Sequence, residues 1–277
     1  MDLRPSLAGS WYPQDRSQLL NTLDQLFQSS DYNQFDDSRL IGLVVPHAGL
    51  QYSGHVAVEG FQILPTEPPE HIVILSPLHR YSRDPLLTSG FDAYQTPLGT
   101  VPIDKNVLEP IRRQLHDSAG LDLVDFLDEN EHSIEVELPF LQWKYREFSI
   151  VPIMLANQSR PIVNYVVDAI SAVLDESKSM IIASSDLSHY KSKGEAAAYD
   201  QHLLSIMTGL DPDGVISAVE QEAAYACGAG PIAVVLSVCT RWGASRAKLL
   251  KYSTSAEVTG DPSSVVGYAS VGIFKDG

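Results

Sequence analysis

Leu40-Ile41-Gly42-Leu43-Val44-Val45 is an unbroken apolar run that Pro46 ends one residue before His47. A strand with one wet face alternates apolar and polar residues. This run does not alternate, so it reads as a strand covered on both sides, the pattern of parallel strands in α/β folds. The arrangement returns twice. Ile72-Val73-Ile74-Leu75 leads through Ser76-Pro77-Leu78 to His79, and Met180-Ile181-Ile182-Ala183 leads through Ser184-Ser185-Asp186-Leu187-Ser188 to His189. Each buried strand delivers a histidine just past its carboxyl end. In open α/β sheets that edge is where loops converge on ligands.

Helical periodicity fills the stretches between. Asp15 is placed to cap a helix over 16–28 that carries Leu19, Leu20, Leu23, Leu26 and Phe27 on one side. Further helices are expected over 55–64, 104–116, 161–174 and 194–208. Others run from Ser133 or a neighbour to Tyr145, with a kink or late start at Pro139, and from Asp211 to about Ala226. Pro231 takes a favoured first helical position ahead of a helix to Arg241. A polar loop covers 29–38 and short strands cover 86–98. A strand over 148–155 is expected at an edge or irregular position because of its proline. Strands over 249–258 and 264–274 make an antiparallel pair around Thr259-Gly260-Asp261-Pro262. The alternation predicts a three-layer α/β/α sandwich with a mixed, mostly parallel central sheet. With no repeat, low-complexity tract or linker, 1–277 is expected to be one domain.

The formal net charge of −16 disfavours nucleic acid or an anionic membrane as partner, since both are bound by clustered Lys and Arg. No apolar run approaches the ~20 residues that span a bilayer. The first residues show no basic region followed by an apolar stretch. The expected location is therefore cytoplasmic, with Cys227 and Cys239 as reduced thiols.

Two histidines past neighbouring strand ends are a common start for a non-haem metal site, and His47 and His79 can reach one point if their strands lie side by side. Cys227 precedes Gly228-Ala229-Gly230-Pro231, so backbone amides and a helix start stand close to it. Such surroundings favour the thiolate, which is both ligand and nucleophile; the alternative is an inert buried cysteine. Cys239, inside an apolar helix, takes that inert role. Asp186 and His189 form an Asp-x-x-His unit that suits a first helical turn, with Asp186 either a helix cap or a chemical group and His189 an acid or base. Glu131 and His132 add another ionisable pair at a helix start. There is no P-loop, dinucleotide fingerprint, nucleophile elbow or paired-cysteine zinc site.

In order along the chain, Ala8-Gly9-Ser10-Trp11-Tyr12-Pro13, Pro46-His47-Ala48-Gly49-Leu50-Gln51-Tyr52-Ser53-Gly54, Ser76-Pro77-Leu78-His79 and Glu131-His132-Ser133-Ile134-Glu135 stand out, followed by Ser184-Ser185-Asp186-Leu187-Ser188-His189-Tyr190, Cys227-Gly228-Ala229-Gly230-Pro231 and Thr259-Gly260-Asp261-Pro262. As a set they resemble the MEMO family, protein B of the AmmeMemoRadiSam system. That family resembles the class III extradiol dioxygenases in fold. The resemblance implies His47, His79 and Cys227 as metal ligands, with Cys227 in place of a carboxylate. It implies His189 as the acid–base group; Asp186 and His132, by their position in the chain, stand beside it as further catalytic candidates. The implied cofactor is Fe(II) or copper, with zinc a further candidate because thiolate is the softer ligand. The implied function is a metal-binding protein with redox or oxygenase-related activity toward an unknown small molecule or peptide, linked to a radical-SAM protein and an AMMECR-type protein. Two other readings stand beside it: a non-catalytic module holding a peptide, nucleotide or partner protein, and hydrolysis by zinc-bound water. Where many relatives carry a second histidine after the one matching His79, this chain has Arg80, which either draws an anion or faces solvent.

Overall fold

A computed structural model describes residues 2–30, 38–127 and 130–276; the 31–37 part of the loop expected over 29–38 lies outside them. In chain order the first half comprises β1 (Asp2–Leu3), α1 (Arg16–Gln28), β2 (Arg39–Val45), α2 (Leu50–Gln62), β3 (His71–Pro77), β4 (Leu86–Ser89), β5 (Ala93–Thr96), β6 (Gly99–Pro102), α3 (Lys105–Ala119) and β7 (Leu123–Phe126). A 3-10 turn over Glu135–Glu137 then leads into α4 (Leu138–Lys144), β8 (Ile150–Leu155), α5 (Arg160–Val173), β9 (Ser179–Ser184), β10 (His189–Lys191) and α6 (Lys193–Thr208). The chain closes with α7 (Pro212–Glu220), α8 (Ala229–Arg241), β11 (Arg246–Thr254), α9 (Ala256–Thr259) and β12 (Val265–Lys275).

The main sheet runs β10-β12-β2-β9-β3-β8-β4-β7, with β11 on the free side of β12. Its centre, β2-β9-β3-β8, is parallel throughout. Antiparallel pairs flank that centre: β12 joins β2 on one side and β4 joins β8 on the other. The mixed sheet is as expected. β1, β5 and β6 form a separate small sheet.

The central strands are apolar along their length because both faces are covered. On one face α8 lies across β2, β9 and β3 and packs against α5 and α7. On the other, α2 lies over β2, β11 and β12 and packs against α1 and α4. Phe61 of α2 stacks flat on Phe140 of α4, centroids 4.8 Å apart, and Phe27 of α1 stacks on Trp143. Close approach to the sheet explains two glycines. A Cβ on Gly60 would stand 2.9 Å from Leu43 and Val45, and one on Gly42 would run into Cys239. Cys239 is thus a packing residue, fully buried in α8.

Several expectations shift. α2 begins at Leu50, directly after Gly49, rather than at 55. β8 is not at an edge: it lies between β3 and β4. Its Pro152 is tolerated because its carbonyl, and with it the side of the missing N–H, faces β4. There the Thr88 hydroxyl donates to Pro152 O at 2.6 Å, and the strand pairing covers only Met154 and Leu155. Pro139 falls in the first turn of α4, so the helix starts late, as the sequence allowed. α7 stops at Glu220, short of Ala226, and Glu222 turns the chain at φ 56°. α8 begins at Ala229, two residues before Pro231.

Candidate metal centre

Because β2, β9 and β3 are parallel, their carboxyl ends share one edge. β2 and β3 are not neighbours; β9 lies between them. His47 and His79 therefore straddle the end of β9, and their ring centroids are 5.1 Å apart. Ser184 at the end of β9 and Ser185 and Asp186 just after it fill the gap, and the chain continues to His189. Cys227 arrives from the far side, two residues ahead of α8. One ligand atom from each of His47, His79 and Cys227 lies within 4.8 Å of the others. His47 Nε2 and Cys227 Sγ are 3.2 Å apart.

Each imidazole is anchored through one nitrogen. His47 Nδ1 lies 2.8 Å from Ser184 Oγ, and its backbone N–H donates to Asp186 Oδ1 at 2.8 Å. His79 Nδ1 meets Glu131 Oε1 at 3.1 Å, and its backbone N–H donates to Glu131 Oε2 at 2.7 Å. In both rings Nε2 is the nitrogen left for a ligand. A carboxylate on the far nitrogen of a ligating histidine fixes the ring and raises its basicity. Glu131 stands in that position behind His79. The same carboxylate accepts from the N–H groups of His132 and Ser133 and from the Ser133 hydroxyl. Burial alone would raise the Glu131 pKa, but the His79 hydrogen bond, the two histidine charges and the Ser133 N–H outweigh it and bring it down to about 2. A second cluster, His79, Glu131 and His132, also falls within 4.8 Å. Glu131 Oε1 is already so heavily engaged that we assign it an orienting role.

His132 lies beside both ligand candidates, 4.3 Å from the His79 ring and 5.3 Å from the His47 ring. Trp11 covers its other side at 4.5 Å. Tyr12 and Glu135 fix that covering segment: the Tyr12 hydroxyl, Ser6 and the Leu7 N–H all bond the Glu135 carboxylate. Burial and the nearby His79 push His132 down to about 4, so at neutral pH it is an uncharged imidazole.

Asp186 and His189 do not share a helical turn. The chain after β9 stays extended and enters β10, so Asp186 is not a helix cap. Its buried carboxylate accepts from His47 N, and burial pushes its pKa up to about 7. His189 Nδ1 lies 2.8 Å from Leu187 O, which can only accept, so this nitrogen carries hydrogen and Nε2 the lone pair. Tyr190, at φ 58°, forms a bulge opposite β12 and is 81% exposed.

Cys227 departs from expectation in its electrostatics. The helix start is close, and Asp186 N–H donates to Sγ at 3.2 Å. Burial, then the negative charge of Asp186, nevertheless push the thiol up to about 12. Without a cation it is a thiol and not a thiolate. The crowding at Gly228 comes from the protein itself: a Cβ there would stand 2.8 Å from Ser185 Cβ and 2.9 Å from Ser184 O. Arg80 is exposed, and its Nη2 donates to Asn130 O at 3.0 Å.

Two residues of the centre were absent from the sequence reading as functional groups. Ser184 and Glu137 lie behind His47, with Ser184 Oγ 2.8 Å from Glu137 Oε1. The available signal was weak: two glutamates, Glu135 and Glu137, interrupt an apolar helix start in Ile134-Glu135-Val136-Glu137-Leu138.

No helix among the described residues is long and apolar enough to cross a membrane. Residues 4–272 match the family model described as Memo-like protein. The chain is similar to a MEMO1 family protein of Methanopyrus kandleri, 37% identical with 100% of both chains covered. It is also similar to one of Thermoplasma volcanium, 35% identical with 97% of each covered. The crystal structure of an uncharacterized protein from Escherichia coli K12 shares the fold, with a TM-score of 0.52 and 14% identity over 85% of this chain and 100% of that one.

Proposed function

Given that the chain belongs to the Memo-like protein family, we propose that it holds one transition-metal ion on His47, His79 and Cys227 and uses it in redox or oxygenase-related chemistry. The reading is carried by the 3.2 Å approach of His47 Nε2 to Cys227 Sγ, between residues 180 positions apart. Ligand atoms ~2.0–2.3 Å from a common ion stand roughly 3–4 Å from each other, so small side-chain rotations bring this set onto one ion. The donor types fit iron or copper, and zinc as the redox-inert case. A bound iron or copper ion would supply one-electron chemistry or Lewis acidity.

The protein's own groups handle protons and access. Binding a cation at Cys227 displaces the thiol proton, so loading is coupled to proton release. His189 offers Nε2 as an acceptor and lies near enough to His79 to feel its charge. His132, uncharged, gives and takes hydrogen bonds without adding positive charge beside the ion. Asp186, with a pKa of about 7, is balanced between its two protonation states while it holds the His47 backbone. Trp11 packs over His132 and covers that side of the cleft.

A second reading, a non-catalytic cleft that binds a peptide, nucleotide or partner protein, draws support from Tyr190 and Tyr225. They are 81% and 42% exposed, and both stand edge-on to His189. Elemental analysis of untagged protein tests the leading reading. About one metal per chain, lost in His47→Ala, His79→Ala and Cys227→Ser, is expected; full metal in all three variants overturns it.

A further inference from the structure

Behind His47 lies a buried polar chain that the ligand set does not explain. Ser184 Oγ stands 2.8 Å from His47 Nδ1, 2.6 Å from Ser133 O and 2.8 Å from Glu137 Oε1. Ser184 and Glu137 are both 0% exposed. Glu137 Oε2 has no hydrogen-bond partner among the described residues. A hydroxyl has one hydrogen and two lone pairs, so only one of its three neighbours can receive its hydrogen. Ser133 O can only accept, and it is the nearest. If the hydroxyl donates there, the two lone pairs of Oγ must be met by donors, and those are His47 Nδ1–H and a protonated Glu137.

We propose that Glu137, acting through Ser184, is a positioning residue that fixes His47 in its Nδ1–H form and so keeps the Nε2 lone pair aimed at the metal centre. Its purpose rests on the metal-site reading; its hydrogen-bond geometry does not. An ionised carboxylate on Oγ would take the hydroxyl hydrogen and leave Ser133 O without its donor. A neutral acid satisfies every atom of the chain except Oε2, and an unpaired neutral carbonyl costs less when buried than an unpaired half of a carboxylate. Burial pushes the Glu137 carboxyl well above the usual carboxylate range; the Ser184 hydrogen bond opposes that and the charge of Asp186 adds to it. The arrangement differs from that at His79, where an ionised Glu131 bonds the ring directly. One ligand is thus backed by a charge and the other by a neutral hydroxyl–acid pair.

Long-range 1H–15N spectra of histidine-labelled, chelator-treated protein read the tautomer directly, with His47→Gln assigning the signals. The wild type is expected to carry hydrogen on His47 Nδ1. Zinc(II) affinity, measured by competition with a chromogenic chelator, gives the second readout. Glu137→Gln keeps a neutral donor and should retain both the tautomer and the affinity. Glu137→Met and Ser184→Ala should mix the tautomers and weaken zinc by roughly ten- to a hundredfold, the range for groups behind a ligand. Either variant suffices if the other fails to fold. An Nε2–H wild type, or a Met or Ala variant that matches the wild type in both readouts, overturns the proposal, as does a Gln variant as impaired as Met. Wild-type protein that shows the Nδ1–H form but binds no zinc leaves this inference standing and removes the functional reading instead.

Discussion

His47 Nε2 lies 3.2 Å from Cys227 Sγ, with His47 held at the end of β2 and Cys227 at the entry to α8. Local chain geometry does not bring them together. They meet because β2 and β9 run parallel and because the Cys227 N–H is tied to Asp186 O, just past the end of β9. Replacing either side chain removes a proposed ligand and leaves the strands in place. Cys227→Ser should therefore retain cooperative unfolding but bind zinc or copper at least tenfold more weakly in a chelator competition. Unchanged affinity would remove Cys227 from the ligand set.

Glu131 joins His79 to the turn before α4. Its carboxylate accepts from His79, His132 and Ser133, so a neutral substitute leaves several donors poorly matched. Glu131→Ala should cost about 1–3 kcal/mol in urea unfolding, the range for stranding buried hydrogen-bonding groups. It should also weaken metal binding by roughly ten- to a hundredfold. A loss of affinity alone, with stability intact, would mean the turn is held by other contacts.

Gly228 is crowded by Ser184 and Ser185, whereas Gly194 in α6 has open space where a Cβ would go. Gly228→Ala is expected to destabilise by about 1–3 kcal/mol through overpacking and to disturb Cys227 next door. Gly194→Ala should leave stability the same or slightly higher, since alanine loses less backbone freedom on folding. Thermal melts of the two variants side by side check the contrast; equal effects would mean the crowding at Gly228 relaxes without cost.

Asp186 gives a pH signature in chelator-treated protein. Its folded pKa is about 7 against 3.8 for the free side chain. Between those values the folded state holds the extra proton, so this group's contribution to stability falls as pH rises, by at most about 1.4 kcal/mol per pH unit. Asp186→Asn removes the titration. Urea midpoints at pH 5, 6 and 7 should show wild type losing ground to the variant as pH rises; parallel curves would contradict the shift.

The strands and their histidines were legible because a run such as Leu40–Val45, apolar on both faces and too short to span a bilayer as a helix, has few alternatives in an α/β chain. The placement of β9 between β2 and β3 was not, because strand order depends on crossovers rather than on local pattern. Pro152 argued for an edge or irregular position; the structure keeps the strand internal and turns its donorless side toward a stretch of β4 that pairs with β7. Asp186-x-x-His189 looked helical by spacing, yet its chain is extended, held on one side by β12 and on the other by the His47 backbone. Glu137 and Ser184 were missed for the same reason: their meaning arises only once β9 and the α4 turn are packed together.

X-ray absorption at the metal edge of copper- or zinc-loaded protein reads the ligand set itself, since sulfur and imidazole nitrogen scatter distinguishably. One sulfur at ~2.3 Å and at least two imidazole nitrogens at ~2.0 Å are expected, with the sulfur lost in Cys227→Ser. A metal shell without sulfur in the wild type, or one unchanged by that substitution, would contradict the proposed ligand set.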